Sequence, residues 1–362
     1  MRFAVSLAPT MRAFSAVCLV GLTLTGCATA PKEFRMDAAA VPQQEQMLWP
    51  QPPEVPRFRY LGQLLGEQNF KPKAEESSGI RSALRWLAGL LAGDQAPVEL
   101  QRPQAGVVDA AGRIYVTDPG RGAVFVFDVV AGELLVWDKA DGLANFANPV
   151  GIALGPGGDI LVADAQLGYV VRLDSKGEAR GRIGKGLLRR PTGLAYDPRG
   201  KRIYVADTYA HDIKVFDDDG RLVATIGHRG EGPGEFNFPT FLAFANGKLY
   251  VTDAMNSRIE VFGDEGEVLK LKFGSRGLYL GDLVRPKGVA VDGEGNIYVV
   301  ESYYDRLLVF NPDGKLLLAL GGTGLEPGQF YLPAAVWVDR KNRVFVADMF
   351  NARVTMFQFL GG

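Results

Sequence analysis

The 362-residue sequence contains only two cysteines and two histidines, and it has no long basic segment. With so few cysteines the chain cannot be a disulfide scaffold, and two histidines make a poor zinc site without further ligands. A formal net charge of −1 gives no support to a nucleic-acid partner. Glycine is abundant instead, at 45 residues, and 47% of the chain is apolar, which is typical of a folded, turn-rich protein.

The first 26 residues have the pattern of an export signal. They contain Arg2 and Arg12, no acidic residue, and an apolar stretch over about residues 13–24. Such a stretch is too short for a stable membrane span and indicates a secretory signal peptide over residues 1–26. Its removal would leave 38 basic and 41 acidic residues, a net charge of −3.

The signal ends in "LTGCA", residues 24–28, which resembles the signal box of bacterial lipoproteins. That resemblance implies cleavage before Cys27 and lipidation of its thiol, hence an anchor in the cell envelope. No cysteine follows Cys27, so it has no downstream disulfide partner. The alternative is a plain secretory signal with an incidental cysteine. Translation could start at Met1 or at Met11, since "MRAF" also begins a compact signal.

Residues 27–56 lack periodicity and end in "WPQPPEVP". Proline favours extended, semi-rigid chain, so we predict a tether between the anchor and the folded domain. At roughly 3.3 Å per residue it would reach on the order of 90 Å when fully extended.

From residue 102 onward the chain repeats itself. "RPTGLAYDPRGKRIYVADTYAHDIKVFDDDGRLVATIG" and "RPKGVAVDGEGNIYVVESYYDRLLVFNPDGKLLLALG" fall into register almost without gaps. Six prolines open the units: Pro103, Pro149, Pro191, Pro239, Pro286 and Pro333. An acidic residue closes each second strand: Asp118, Asp164, Asp207, Asp253, Glu301 and Asp348. Each unit contains four short β-branched and aromatic runs separated by turns, which predicts a four-stranded β-propeller blade.

The repeat motifs are P-x-G, hydrophobic-Tyr-Val-x-Asp and Arg-Ile/Leu-x-Val-Phe. In these motifs the chain resembles the NHL-repeat propellers over residues 102–358. The resemblance implies an all-β, six-bladed propeller over residues 102–362. It implies little about function, because propellers host unrelated activities.

The sixth unit supplies only three strands before the sequence ends. An open ring would leave unpaired edges, and many propellers close with a strand from the other terminus. The stretch "RFRYLGQLLGEQNF", residues 57–70, has the fourth-strand and Gly-Glu-aromatic pattern that the other units carry. We therefore predict that residues 57–66 form the outer strand of blade six.

Propeller connectivity places the opening prolines, the turns between second and third strands, and the loops between blades on one face. We call it the proline face. Arg102, Arg190 and Arg285 precede three of the prolines and form a candidate anion-binding cluster, unless they make only local loop contacts. His211 and His228 fall on the same face, as exposed loop residues or as ligand-binding residues.

Glu301 is the only glutamate among the six repeated acids, and it is a further ligand-binding candidate. Each of these acids also has a structural interpretation, in which its carboxylate accepts hydrogen bonds from the backbone amides of the following turn. No catalytic constellation, metal site or cofactor motif stands out, so none is predicted.

Residues 71–101 replace an ordinary loop between blades and include "GIRSALRWLAGLLAG". The spacing predicts an amphipathic helix within an otherwise all-β fold. Its apolar stripe contains Ile80, Leu84, Trp86, Leu87 and Leu91. The helix could plug the disc, or it could dock onto a protein partner or the membrane surface.

The function that this sequence indicates is an envelope lipoprotein, with its propeller as a non-catalytic binding or scaffold module for a protein or polymer. The expected location is the outer membrane, facing the periplasm. The alternative is a metal-dependent enzyme similar to six-bladed lactonases or NHL-type lyases. Its ligands would come from Glu301, Asn148 and Asn237 at the channel mouth. RNA binding, known for some NHL proteins, conflicts with export and with the negative charge.

Overall fold

The computed structural model of the protein describes residues 32–36, 47–72, 97–263 and 268–361. The predicted signal peptide, Cys27 and the predicted helix lie outside these residues. In the described part of the chain, the helices are four 3-10 turns of three residues each. None of the described helices is long and apolar enough to cross a membrane.

Four strands precede the repeats. They are β1 (Lys32–Phe34), β2 (Leu48–Trp49), β3 (Phe58–Leu64) and β4 (Phe70–Pro72).

The first three blades are four-stranded antiparallel sheets. Blade one contains β5 (Ala105–Val108), β6 (Ile114–Asp118), β7 (Ala123–Asp128) and β8 (Glu133–Trp137). A small hairpin follows, made of β9 (Lys139–Asp141) and β10 (Ala144–Asn145). Blade two contains β11 (Pro149–Leu154), β12 (Ile160–Asp164), β13 (Tyr169–Leu173) and β14 (Ala179–Ile183). Blade three contains β15 (Pro191–Asp197), β16 (Arg202–Asp207), β17 (Asp212–Asp217) and β18 (Leu222–Ile226).

The remaining blades follow the same order. Blade four contains β19 (Pro239–Ala245), β20 (Lys248–Asp253), β21 (Arg258–Gly263) and β22 (Val268–Phe273). Blade five contains β23 (Pro286–Val291), β24 (Ile297–Glu301), β25 (Arg306–Phe310) and β26 (Leu316–Gly321). The last repeat contributes β27 (Ala335–Val338), β28 (Arg343–Asp348) and β29 (Arg353–Phe359) to blade six. Each inner strand contacts the inner strand of the next blade, and β27 contacts β5, so the six blades form a ring.

The sheet of blade six has the order β2-β3-β29-β28-β27. The strand β3 is antiparallel to β29, with Leu64 opposite Val354 and Phe58 opposite Phe359. It therefore occupies the outer position for which residues 57–66 were predicted. The prediction of four strands falls short here, because β2 adds a fifth strand by pairing with β3.

The tether prediction differs from the structure at two places. Within residues 27–56, β1 pairs with β4, and β2 pairs with β3. Trp49 packs edge-on against Phe357, with 5.5 Å between ring centroids. Unpaired strand edges and apolar side chains both favour docking over an extended spacer. Described residues of the predicted tether therefore form part of the disc.

Burial follows the position of a strand within its blade. The second strand of blade three is buried from Ile203 to Asp207, whereas the outer strand is exposed from Leu222 to Thr225. Inner and middle strands are covered by the neighbouring blades on both faces, which explains their continuous apolar sequences. Near the axis the inner strands crowd each other: a Cβ on Gly193 would lie 2.5 Å from the carbonyl oxygen of Thr240.

Candidate functional site: a cationic cavity at the axis of the proline face

The repeated acidic residues hold the loops of the proline face in place. Asp164 accepts hydrogen bonds from the amides of Gln166 and Leu167 in the following turn, at 3.0 and 2.9 Å. It also accepts one from Asn148, which precedes the opening proline, at 3.0 Å. The predicted structural role is therefore confirmed for Asp164, and it extends to the opening loop.

Glu301 is used in the same way in blade five. Its carboxylate accepts hydrogen bonds from the amides of Val284 at 2.7 Å, Arg285 at 3.0 Å and Tyr303 at 2.9 Å. The side chain is buried, and burial raises the pKa of its carboxyl group. Its acceptor capacity is largely taken by the backbone, and it is not among the residues that line the central cavity.

The opening segments of blades one to five line a cavity of about 330 Å³. The polar and charged side chains in its wall are Arg102, Gln104, Asn148, Arg190, Thr192, Thr208, Thr240 and Lys287. Two of the three predicted arginines therefore line one cavity, together with Asn148. The structure adds Lys287, a residue that the sequence did not indicate.

Lys287 occupies a repeated position, directly after the opening proline. The corresponding residues of the six units are Gln104, Val150, Thr192, Thr240, Lys287 and Ala334. Five of them line the cavity, and Lys287 is the only charged one. Burial, together with the charges of Arg285 and Arg102, lowers the pKa of Lys287 to about 8. Arg285 thus acts on the cavity through its charge rather than as part of its wall.

The cations of this cavity have no acidic partner in the described part of the chain. Elsewhere, Arg258 binds Asp253 and Arg353 binds Asp348, with Nε–Oδ2 distances of 2.8 Å. By contrast, four side chains in or beside the cavity form no hydrogen bond or ion pair with a described residue: Arg102, Arg190, Arg285 and Lys287. No direct ion pair with a described residue neutralises these cations, although the charge of Arg285 acts on the Glu301 carboxylate.

Two of the arginines instead lie against exposed aromatic rings. Arg190 lies over Tyr209, with Cζ 5.1 Å from the ring centroid, and Arg102 over Phe350 at 6.0 Å. Phe350 also packs edge-on against Tyr331, with centroids 5.5 Å apart. Tyr209 is 54% exposed and Phe350 49% exposed. At the same turn position, two further units carry exposed Met255 and Tyr303. We call these four residues the apolar rim: Tyr209, Met255, Tyr303 and Phe350.

The two histidines have local partners instead. Nδ1 of His211 accepts a hydrogen bond from the amide of Phe238 at 3.2 Å. His228 is exposed, with Nε2 3.4 Å from Oε1 of Glu235. Neither histidine is among the residues that line the cavity.

Metal ligands do not converge in the described part of the chain, where no group of three His, Cys, Asp or Glu side chains could hold an ion. Of the two asparagines considered for such a site, Asn148 lines the cavity. The amide of Asn237 donates a hydrogen bond to Asp253 at 2.7 Å. The predicted lipidation residue and the partner-helix residues lie outside the described residues: Cys27, Ile80, Leu84, Trp86, Leu87 and Leu91.

Comparison with known proteins places the repeats among NHL proteins. A family model described as a 6-bladed β-propeller matches residues 197–273. The Brain tumor protein of Drosophila melanogaster is 31% identical over 140 residues, covering 38% of this chain and 13% of that protein. NHL repeat-containing protein 2 of Gallus gallus is 30% identical over 162 residues, covering 35% of this chain and 22% of that protein. The chain thus spans less than a quarter of either relative.

Solved structures share the architecture. Virginiamycin B lyase from Staphylococcus aureus superposes with a TM-score of 0.53 at 13% identity, covering 72% of this chain and 96% of that chain. A gluconolactonase from Xanthomonas campestris superposes with a TM-score of 0.54 at 18% identity, covering 75% of this chain and 93% of that chain. At such identities the likeness concerns the fold alone. The repeats, the ring of blades and the sequence relatives agree: the chain is a six-bladed β-propeller of the NHL-repeat type.

Proposed function

We propose that this protein is an envelope lipoprotein whose propeller is a non-catalytic binding module, with the proline face as its binding surface and an acidic protein partner as its ligand. The observation that carries the proposal is the set of cations around the axial cavity without an acidic partner among the described residues. Holding like charges together in a partly desolvated cavity costs free energy. A partner that brings carboxylates would offset that cost.

The apolar rim supports a protein partner. Aromatic residues, methionine and arginine are enriched in protein interfaces, and exposed aromatic side chains commonly serve as anchors. Here Tyr209 and Phe350 stand beside Arg190 and Arg102, so apolar anchors and positive charge share one surface. Complementary charge would speed association, and the aromatic contacts would slow dissociation.

The anchor would set the orientation of the disc. Lys32 of β1 follows Cys27 by five residues, a span of at most about 17 Å. The carbonyl of Lys32 lies against Gly132, in the turn between the third and fourth strands of blade one. By blade connectivity that turn lies on the face opposite the opening prolines. A lipidated Cys27 would therefore keep the opposite face near the membrane and leave the cavity open to the partner.

The anchor is tested with Cys27→Ser. The variant should move from the membrane fraction to the soluble fraction, and lipid labelling should disappear. Continued labelling of the variant would contradict the assignment.

The binding face is tested by photo-crosslinking from a reactive side chain at position 303, on the apolar rim, in intact cells. Arg102→Glu with Arg190→Glu should abolish the adduct, whereas Arg199→Glu, an exposed residue on the opposite face, should leave it unchanged. Equal adducts in the double variant and the control would overturn the proposed face.

The enzyme alternative makes a different prediction. A cavity with several cations repels a divalent metal ion, so metal analysis of the purified protein should find no stoichiometric ion. A bound divalent ion at one equivalent would overturn the scaffold function in favour of a lactonase-like or lyase-like activity.

A further inference from the structure

The axial cavity has its own chemistry beyond that of the surrounding face. Its volume of about 330 Å³ lies at the lower end of ligand sites, so it suits one small group rather than a long ligand. Lys287 follows its opening proline along the inner strand, whereas Arg102 and Arg190 precede theirs. The lysine therefore lies deeper than the two arginines.

The backbone amides around the mouth are already occupied. The residue before each opening proline donates its N–H to a side chain of the protein: Arg102 to Asp118, Asn148 to Asp164, Arg190 to Asp207, Phe238 to His211, Arg285 to Glu301 and Leu332 to Asp305. Phosphate sites typically draw on free backbone N–H groups at nests or helix N-termini. None of these six residues has a free backbone N–H group, so a ligand in the cavity would contact mainly side-chain cations and hydroxyls.

One hydroxyl in the wall is unused. Oγ1 of Thr240 is buried and has no hydrogen-bond partner among the described residues. The neighbouring hydroxyls of Thr192 and Thr208 instead bond each other at 2.7 Å. Buried polar groups are nearly always paired, so an orphaned hydroxyl beside unpaired cations indicates a missing polar ligand.

We propose that the axial cavity binds a single carboxylate of the partner, an aspartate or glutamate side chain, with Lys287 as the deep contact and Arg102 and Arg190 at the mouth. The proposal rests on the proposed function, and it names the chemical group that the partner inserts. A carboxylate satisfies the ammonium and an arginine fork at once.

Binding should be coupled to protonation of the lysine. The charged groups that act on Lys287 are Arg285 in its own opening loop and Arg102 across the cavity, with Arg190 in the same wall. The acids that end the second strands of blades one and five, Asp118 and Glu301, accept hydrogen bonds from backbone amides of the opening loops. A bound carboxylate would reverse the local charge and draw a proton onto Lys287, so affinity should fall as pH rises through about 8.

The test is calorimetric titration of the full-length protein with the peptide Ac-Gly-Glu-Glu-Gly-NH2, with its Gln-Gln analogue as the matched ligand. At pH 7 the Glu peptide should bind and the Gln peptide should not. Lys287→Met should weaken binding at least tenfold, while Lys315→Met, an exposed lysine of the same blade, should not. Equal binding of both peptides, or of Lys287→Met and the unaltered protein, would overturn the proposal.

Further titrations test whether binding is coupled to protonation of Lys287 and whether the ligand group is a carboxylate or a phosphate. Lys287→Arg keeps the charge without titrating near pH 8, so it should bind at pH 9 as well as at pH 7, while the unaltered protein loses affinity. At pH 8, titrations in buffers of different ionisation enthalpy should show proton uptake by the unaltered protein and none by Lys287→Arg. Tighter binding of inorganic phosphate than of the Glu peptide would show that the carboxylate assignment is wrong.

This inference can fail while the proposed function stands. If Lys287→Met retains the crosslink from position 303 and the affinity for the Glu peptide, only the carboxylate site is refuted. If the double arginine variant also retains the crosslink, the binding face itself is refuted.

Discussion

The guanidinium of Arg190 lies over the ring of Tyr209, with Cζ 5.1 Å from the ring centroid. One residue precedes an opening proline and the other follows the repeated acid of the same blade, Asp207. Asp207 accepts hydrogen bonds from the amides of Arg189 and Arg190 at 2.9 and 2.8 Å. A structural carboxylate therefore holds the loop whose arginine and aromatic ring form part of the binding face.

Removing the aromatic platform should weaken binding without unfolding the blade. Tyr209→Ala removes an exposed aromatic anchor of the apolar rim, so affinity for the acidic partner should fall about fivefold, or about 1 kcal/mol. The free energy of unfolding should fall by no more than the intramolecular cation–π contact with Arg190, about 0.5–1 kcal/mol. The control is Val130→Ala, a 79% exposed residue in the turn between β7 and β8 on the opposite face, which should bind normally. Equal losses in both variants would contradict the role of Tyr209.

Lys287 should lower the stability of the unliganded protein. Its pKa in the folded chain, about 8, lies below the ordinary value of 10.5. The folded protein therefore disfavours the charged ammonium, and its free energy of unfolding decreases as pH falls from 10.5 to 8. Lys287→Met should therefore raise the free energy of unfolding at pH 7 by about 1–2 kcal/mol. The gain should shrink as pH rises towards 10.5, which denaturant titrations at several pH values would measure. A pH-independent difference would contradict this electrostatic origin.

The strand β3 should be needed for cooperative folding. Leu64 is fully buried and lies opposite Val354 in the sheet of blade six. Leu64→Ala should cost about 2–5 kcal/mol in the free energy of unfolding, since it leaves a cavity. The control Leu222→Ala, in the exposed outer strand of blade three, should change stability by less than about 0.5 kcal/mol. Deleting residues 57–66 should abolish a single cooperative transition, and unchanged melting of the deletant would refute closure by this strand.

Glu301 should behave as a structural residue. In Glu301→Gln, a side-chain NH₂ replaces one of the oxygens that accept the amides of Val284, Arg285 and Tyr303. The variant should lose about 1–3 kcal/mol of stability and keep its affinity for the Glu peptide. A loss of affinity at unchanged stability would return Glu301 to the set of ligand-binding residues.

Much of this architecture could be predicted from local patterns. The spacing of prolines and acids specified six repeats, because each blade uses the same turns and buries the same strands. Arg102 and Arg190 could be assigned to one face, since they precede opening prolines and connectivity brings all those loops together. The exposed aromatics of the apolar rim occupy one repeated turn position, and an alignment of the six units could have revealed them.

Other features depend on contacts between distant segments. Lys287 has the ordinary sequence context of a residue in a P-x-G motif. Its pKa is lowered first by burial in the closed ring and then by the charges of Arg285 and Arg102, and the sequence alone does not show that burial or the approach of Arg102. The pairing of β1 with β4 also joins two segments that are distant in sequence. Neither strand is longer than three residues, which is too short for a recognisable strand pattern.

The sequence alone determined the repeat, the four-stranded blade, the number of blades and the strand available for closure. These features follow from turn chemistry and from alternating or continuous apolar runs, which act over a few residues. Only the tertiary structure decided which side chains share the axis, which cations remain without a carboxylate, and where the N-terminal strands dock. Those outcomes depend on desolvation and on distances between blades, which exist only once the ring has closed.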